Sequence, residues 1–342
     1  MPRNYLFKSF YSLLFVLTFL TSCNGQVKIP EPKGIYKDAT IGTSIEDSEG
    51  NLWFGSNGEG LYKYDGKRFV HFGMEQGLNS NIIYSILQDK TGNIWVGSNK
   101  GLNRFDGNKF KSLPIVLSKS SSLFSININT IVTPTENAVW SMMQDKNKTI
   151  WFGTNDGVYC YNGKVFTRFL DNQNITNKDS LNLKGIFSIL ESRNGHIWFA
   201  ECASEGISSF DGKTLSNIIP YKEIGRTDRI IEDRQNNFWF ATGFKGVGKY
   251  DGKTFTQNIF KDRPINGSSN ILEDKNGNLW FDTKEGLGFY DGKKLEILSE
   301  KSGTKIKDFI PVLLDKSGNL WFSRKGMKLF KYDGKRFTNY SK

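Results

Sequence analysis

Histidine and cysteine are scarce in this chain, and their scarcity argues against several kinds of site. The 342 residues include two histidines, His71 and His196, and three cysteines. A zinc site built from three histidines, or from cysteines and histidines together, needs more such ligands than are present. We therefore expect no metal site, no cofactor and no catalytic histidine.

Long helical periodicity is also missing, and glycine and aromatic residues are abundant instead. The chain has 35 glycines, and 14% of its residues are aromatic, as short strands and tight turns require. The net charge is +11, but the lysines and arginines are spread along the sequence. This distribution predicts a solvated basic surface and no nucleic-acid partner.

One sequence pattern recurs along the chain. A tryptophan returns at intervals of 41 to 56 residues, and an Asp-Gly or Asn-Gly turn follows it after 11 to 13 residues. A repeat of about 40 residues with strand-like content is typical of a β-propeller. The seven recurring tryptophans, which we expect to pack between neighbouring sheets, are Trp53, Trp95, Trp151, Trp198, Trp239, Trp280 and Trp321.

Within one repeat the residues divide into four strands, A to D. In the second repeat, apolar stretches at 83–88, 94–98 and 102–105 are separated by turns, and Asp106-Gly107 predicts a hairpin to a last strand at 108–113. The expected fold is an all-β, seven-bladed β-propeller of four-stranded antiparallel blades. The expected blades are about 38–72, 81–113, 136–170, 184–219, 226–260, 268–298 and 308–340.

The N-terminus reads as a targeting segment that precedes the propeller. An apolar run at 11–20 follows two basic residues and is too short to span a bilayer. Leu20-Thr21-Ser22-Cys23 resembles the bacterial lipobox, which implies a signal peptide at 1–22 and a lipid anchor on Cys23. Residues 23–37 are then the tether and 38–342 the propeller, held at the membrane by lipid alone. Asn24 favours the outer membrane of the cell envelope; the alternative is an ordinary secreted protein.

The two remaining cysteines, Cys160 and Cys202, occupy different positions of adjacent repeats. Two free thiols are the simpler interpretation. An oxidising periplasm would also permit a disulfide bond between them.

The consensus of the repeats, EDxxGNLWFGTxxGLxxYDGKxF, resembles the two component regulator propeller repeat. The resemblance covers nearly all of the sequence after the leader and implies a fold used as the periplasmic sensor portion of hybrid histidine kinases. Units three to five depart from the turn consensus, for example at Lys148-Thr149 and Ser192. Since the sequence contains neither the kinase nor the membrane helix of those sensors, we expect no signalling across a membrane by this chain itself.

Antiparallel strands sort the turns onto two faces of a propeller. The short A–B and C–D turns share one face, whereas the B–C turns and the D–A connections share the other. Long connections at 111–135 and 170–184 make this second face irregular, and such loops commonly carry function. Each blade is expected to be contiguous in sequence, with residues 33–38 still able to pair with an edge.

Candidate ligand-binding residues lie on this irregular face. They are Tyr84, Trp140 and Phe187 at the top of strand A, Arg226, Asp228 and Arg229 in the fifth repeat, and Glu201, Asp282 and Arg324 near the end of strand B. Strand A is innermost in a propeller, so most of these side chains are expected around the mouth of the central channel. Aromatic faces beside charged groups suit a sugar ring; the simpler interpretation is that the aromatics pack between blades.

Three functions are consistent with this pattern. The first is a non-catalytic, lipid-anchored envelope protein that binds a small molecule or an oligosaccharide. The second is a scaffold for an envelope protein partner. The third is a glycan lyase or hydrolase that uses carboxylates such as Glu201 and Asp282. Neither histidine is expected at the channel mouth, which argues against an enzyme similar to the streptogramin lyases and leaves no catalytic residue assigned.

Overall fold

Each repeat folds into one antiparallel sheet whose four strands follow the order of the sequence. The structure, a computed structural model, describes residues 28–30, 38–115, 138–257, 260, 265–301 and 303–341. Seven such sheets are present, which confirms the predicted seven-bladed propeller.

The strands run from A to D within each blade. In blades 1 to 4 they are Ile41–Glu46, Leu52–Ser56, Leu61–Tyr64 and Phe69–Phe72; Ile83–Gln88, Ile94–Ser98, Gly101–Phe105 and Phe110–Leu113; Val139–Gln144, Ile150–Thr154, Val158–Tyr161 and Phe166–Arg168; Ile186–Glu191, Ile197–Glu201, Gly206–Phe210 and Thr214–Pro220. In blades 5 to 7 they are Thr227–Glu232, Phe238–Thr242, Gly246–Tyr250 and Phe255–Gln257; Ile271–Glu273, Leu279–Asp282, Leu287–Tyr290 and Leu295–Leu298; Ile310–Leu314, Leu320–Arg324, Lys328–Tyr332 and Phe337–Asn339.

The connections between blades carry a few further elements. Three short helices lie at Met74–Gln76, Phe169–Asp171 and Tyr221–Ile224, and a small hairpin pairs Glu300–Lys301 with Thr304–Lys305. The connection at 170–184 does not remain a free loop on the irregular face. Its segment Thr176–Asn177 pairs in parallel with strand D of blade 4 and makes that blade five-stranded. Most of the other long connection, 111–135, lies outside the described residues.

The ring closes through its inner strands and through an extra contact at the termini. Each strand A lies against strand A of the next blade, and strand A of blade 7 lies against that of blade 1. Ile29 forms a parallel bridge with Ser341, and its backbone N–H donates to Tyr340 O at 2.7 Å. Ile29 is buried in one cluster with Trp321 and Tyr340. Residues 33–37, most of the segment expected to be able to pair with an edge, lie outside the described part.

The repeated tryptophans form the core between blades, as their spacing predicted. All seven are at most 6% exposed. In six blades the indole Nε1–H donates to the aspartate of the A–B turn at 2.7 to 3.0 Å. Blade 4 has Ser192 at the aspartate position, and Trp198 Nε1 has no hydrogen-bond partner among the described residues. The aspartate therefore has two functions, since it shapes the turn and also satisfies a buried donor.

A second repeated contact joins neighbouring blades. The last residue of strand A is Glu or Gln in six blades. Its side chain accepts a hydrogen bond from a backbone N–H of the preceding blade, that of the residue just after the aspartate or serine of the A–B turn. Lys316 of blade 7 donates to Glu46 of blade 1 in this way, so the same contact also closes the ring. Blade 7 has Leu314 at this position and lacks the acceptor. The Glu or Gln before the turn aspartate thus links neighbouring blades around the ring.

The hairpin aspartates predict a loss of stability in acid. Hydrogen bonds from the turn's backbone N–H groups hold the pKa of each of these exposed carboxyls below its usual value; they are Asp65, Asp106, Asp211, Asp251, Asp291 and Asp333. Because the folded pKa lies below the unfolded one, their contribution is complete above about pH 4 and is lost as the pH falls through the folded pKa. We expect the melting temperature to fall steadily below about pH 4.

Asparagine offers a control for this acid effect. Asn162 in blade 3 already accepts the same two backbone hydrogen bonds through Oδ1 and carries no titrating group. Replacing Asp251, Asp291 and Asp333 with asparagine should therefore preserve the fold and reduce the dependence of melting temperature on pH below about 4. An unchanged acid slope in this triple variant would contradict the assignment.

Candidate functional site

A repeated β-bulge builds the mouth of the central channel. In blades 1 to 5 the second residue of strand A has no partner in strand B, whereas the residues on either side of it are paired. A bulge of this kind changes the direction of a side chain from the one it would have in a regularly paired strand. The five bulged residues are Gly42, Tyr84, Trp140, Phe187 and Asp228. Four of them are candidates selected from the sequence, so one backbone feature brings these together.

The aromatic candidates form a continuous collar over blades 2 to 4. The rings of Tyr84 and Trp140 are stacked with 4.0 Å between their centroids, and Trp140 lies 4.5 Å from Phe187. Trp140 is therefore covered by a ring on each side, and its Nε1–H donates to Asn155 Oδ1 at 2.6 Å. A ligand at the mouth meets the edges of these rings and the side of Tyr84 that faces blade 1.

Charged side chains continue the collar in blade 5. The Arg226 guanidinium lies 5.2 Å from the centre of the Phe187 ring and donates through Nε to Asp228 Oδ1 at 2.8 Å. A second nitrogen of Arg226 lies 2.7 Å from the same oxygen. Burial raises the pKa of Asp228 above its usual value, and Arg226 opposes this shift. The pair presents a hydrogen-bonding surface directly beside the aromatic rings.

The other half of the mouth is a cavity of about 580 Å³, the mouth cavity, most of whose lining residues are polar or charged. It extends from Arg226 and Asp228 across blades 6 and 7 to Gly42 in blade 1. Asp282 lies on its wall and accepts hydrogen bonds from the backbone N–H groups of Ser269 and Asn270 at 2.8 to 3.0 Å. Burial raises the pKa of Asp282 despite these bonds. Its carboxylate orders the start of the inner strand of blade 6 and also lines the cavity.

Arg229 lies below this collar in the central channel. It lines a channel cavity of about 400 Å³ together with strand A residues of several blades. The side chain is accessible to solvent, although the channel walls enclose it; this enclosure lowers the pKa of the guanidinium, which still keeps its charge. No carboxylate among the described residues lies within ion-pair distance of it. Among the described residues, Arg229 is the one cationic side chain that lines this channel cavity, and the carboxylate of Asp228 lines it as well.

Two candidates lie apart from the mouth cavity. Glu201 is 3% exposed, and its carboxylate accepts hydrogen bonds from the backbone N–H groups of Ser204 and Glu205 in the B–C turn of blade 4. Arg324 lies 4.0 Å from Asp308, which does line the cavity. The structure thus places Glu201 in a turn-stabilising position and Arg324 next to the cavity but not among its lining residues.

Several residues that line the mouth cavity were not predicted from the sequence. Asn57, Ser269, Asn270, Asp308 and Lys325 all line the mouth cavity. Aligning strand A from blade to blade would have identified Ser269, because it corresponds to Asp228 and Phe187. Phe244 was also missed; it lies in the B–C turn of blade 5 and is 73% exposed.

Both histidines lie away from the channel mouth. His71 is in outer strand D of blade 1, with Nε2 2.7 Å from Glu59 O, and His196 is in the A–B turn of blade 4. In the described ranges no group of three or more histidine, cysteine or acidic side chains is arranged to hold a metal ion. Cys160 and Cys202 are free thiols. The predicted signal peptide and Cys23 lie outside the described residues, and none of the described helices has the length and apolarity to cross a membrane.

The fold and the mouth define a seven-bladed propeller with a potential binding site at one end of its channel. Two segments of the chain, 77–100 and 133–156, match the family model described as two component regulator propeller. The predicted resemblance is therefore confirmed, and the chain carries this repeat. A comparison with curated proteins finds no match.

Solved structures share the fold at low sequence identity. The extracellular domain of a protein described as a hybrid two component system from B. thetaiotaomicron matches with a TM-score of 0.70 and 21% identity over 90% of this chain and 40% of that chain. A similar domain described as a one component system from the same organism matches with a TM-score of 0.63 and 20% identity over 88% of this chain and 39% of that chain. This chain thus spans about 40% of those relatives.

An enzyme shares the same fold. Virginiamycin B lyase from Staphylococcus aureus, in a catalytically inactive form with Quinupristin, matches with a TM-score of 0.63 and 12% identity, over 88% of this chain and 97% of that chain. At these identities the likeness establishes the propeller fold alone, and function has to be argued from the site.

Proposed function

We propose that this protein is a non-catalytic binding protein of the cell envelope that holds a carbohydrate-like ligand at the channel mouth. The carrying observation is the repeated bulge, which brings Tyr84, Trp140, Phe187 and Asp228 to one rim. That rim borders a cavity whose volume, about 580 Å³, suits a small ligand. Ring edges on one side and hydrogen-bonding groups on the other match the apolar C–H groups and hydroxyls of a sugar.

The envelope location rests on separate observations. The lipobox-like sequence ending at Cys23 supports a lipid anchor. Two structural relatives are described as extracellular domains, which supports a location outside the cytoplasm. In this location a non-catalytic propeller that is anchored to a membrane would act by binding its ligand. The proposed function is therefore to sense or to capture that ligand.

The carboxylate enzyme is less well supported than the binding protein. Glycoside chemistry needs two carboxyl groups about 5 to 10 Å apart that face one substrate. Glu201 is buried and stabilises its own turn, and it is not among the residues that line the mouth cavity. A general acid or base would have to come from Asp228, Asp282 or Asp308, which line the mouth cavity. The first two are engaged in hydrogen bonds, and the third lies 4.0 Å from Arg324.

A thermal-shift screen with a panel of oligosaccharides tests the proposal. A ligand present at a hundredfold excess over its dissociation constant adds about 2.7 kcal/mol of stability and so raises the melting temperature. We expect the shift to disappear in Trp140→Ala and Arg229→Ala, because the first opens the collar and the second removes the channel cation.

The matched control lies on the opposite face. Lys293 is exposed in the C–D hairpin of blade 6, so Lys293→Glu should leave the shift unchanged. A shift abolished by Lys293→Glu and retained by Trp140→Ala would place the ligand on the face of the C–D hairpins and contradict the mouth site. No shift with any oligosaccharide would favour the scaffold for a protein partner. Release of product from any oligosaccharide would favour the enzyme.

A further inference from the structure

Positive charges cover most of the repeated tryptophan rings. In four blades the residue of strand C paired directly with the tryptophan is lysine or arginine, and its cationic group lies 5.2 to 6.0 Å from the ring centre. The pairs are Lys63 with Trp53, Arg104 with Trp95, Lys249 with Trp239 and Lys331 with Trp321. In blade 6, Lys301 lies 5.4 Å from Trp280. A cation over an indole face is a favourable arrangement, and this fold uses it repeatedly.

Blade 3 lacks this cation. Cys160 is paired with Trp151 at the position where other blades carry lysine or arginine. Across the described ranges, no lysine or arginine lies over the Trp151 ring. Blade 4 also lacks the cation, but there Phe238 stacks on Trp198 at 4.0 Å.

A cavity of about 590 Å³ takes the place of the missing side chain. Three aromatic rings line it: Trp151, Phe169 at 5.2 Å from Trp151, and Phe210 at 4.9 Å from Phe169. Ile175 of the added connection lies on its outer side. Residues of the A–B turn of blade 3 and the C–D turn of blade 4 also contribute, which places the cavity on the face opposite the channel mouth.

The charges around this cavity favour a positive occupant. Asp145 and Asp171 supply two carboxylates, and Arg168 is the one cationic side chain among the lining residues. Arg168 is directed to the backbone, because its Nη2 donates to Asp156 O at 2.7 Å. Burial raises the pKa of the Cys160 thiol, and nearby Asp145 adds to the shift, so the thiol is neutral. The lining therefore carries a net negative charge beside three aromatic rings.

We propose that this pocket is a second binding site, for an organic ammonium group that lies over Trp151 where other blades hold their own lysine or arginine. The ligand is a primary or quaternary ammonium, either on a free small molecule or on the lysine side chain of another protein. The site shares no lining residue with the channel mouth. Its occupancy is therefore independent of the function proposed for the mouth.

Calorimetric titration with choline tests the site, with 3,3-dimethylbutanol as the neutral compound of the same shape. Choline should bind at least about tenfold more tightly than the alcohol, because only the charged compound gains the cation–π contact. Cys160→Lys should abolish choline binding by supplying the cation from the chain itself, as Lys63 does in blade 1. Cys160→Ser leaves the cavity open and should bind choline as the unmodified protein does.

Asp171→Asn provides a second variant, because Asp171 is exposed and its replacement is compatible with the fold. It should weaken choline binding severalfold while leaving the alcohol unaffected. A blocked tripeptide with one lysine distinguishes the two ligand sources: tighter binding of the peptide than of choline assigns a protein partner, and the reverse assigns a small molecule. Failure of both to bind, or choline binding that survives Cys160→Lys, would overturn the proposal.

Discussion

Replacing Asp233 with alanine is expected to lower the free energy of unfolding by about 3 kcal/mol. The carboxylate is buried and accepts hydrogen bonds from Trp239 Nε1 at 2.7 Å, from the Asn237 side chain, and from the backbone N–H groups of Gln235 and Asn237. Its removal leaves a buried indole donor without a partner and frees the turn. Each unsatisfied buried donor costs about 1 to 3 kcal/mol.

Blade 4 supplies the matched control for this prediction. Ser192 occupies the same turn position, but Trp198 Nε1 is already without a partner among the described residues. Ser192→Ala should therefore lower the free energy of unfolding by about 1 kcal/mol or less. This is the contribution of the hydroxyl's own hydrogen bonds to Asn194 and the His196 carbonyl. Unfolding in urea, followed by far-UV circular dichroism, measures both variants. Equal losses at the two positions would show that the indole contact does not stabilise the blade.

The architecture could be predicted from the sequence because each of its causes is local. A buried tryptophan on strand B and an Asp-Gly hairpin recur at a nearly constant spacing, so the number of blades is the number of repeats. The position of strand A next to the channel follows from chain order within a blade. These features predicted that Tyr84, Trp140 and Phe187 lie beside the channel, and in the structure all three line the channel cavity.

The details of the site depended on contacts that have no signal along the chain. The bulge arises from the pairing of strands A and B, so the sequence alone did not show that Gly42 and Tyr84, which both lie five residues before the turn aspartate, have no partner in strand B. Glu201 looked like an open acid after strand B, yet the B–C turn folds back onto it. The connection at 170–184 was expected on the irregular face, but its segment Thr176–Asn177 found an unpaired edge on blade 4.

The residue opposite the repeated tryptophan differs between blades, and an alignment of the repeats shows this difference. Lys63 and Cys160 occupy equivalent positions opposite the tryptophan, but only the structure relates one to a covered ring and the other to a cavity. The cation that blade 3 lacks therefore identifies a candidate binding site, whereas the residues shared by all the repeats form the core.

Gly42→Trp is expected to close the channel mouth, and to weaken binding of the mouth ligand at least about a hundredfold. Gly42 occupies the bulge position of blade 1, between the open side of Tyr84 and the mouth cavity, which it lines. A Cβ atom there would meet nothing within 4 Å, and the backbone lies outside the left-handed region, so a large side chain is compatible with the fold. The indole would occupy the space that the proposed ligand needs.

The stability of the variant separates a blocked site from a damaged fold. Since Gly42 is exposed, the free energy of unfolding of Gly42→Trp, measured in urea, should lie within about 0.5 kcal/mol of that of the unmodified protein. Gly42→Ala adds a methyl group into open space and should retain both stability and binding. A ligand found in the oligosaccharide screen that binds Gly42→Trp with unchanged affinity cannot lie at the mouth, and the binding function would then have to be assigned to another surface of the propeller.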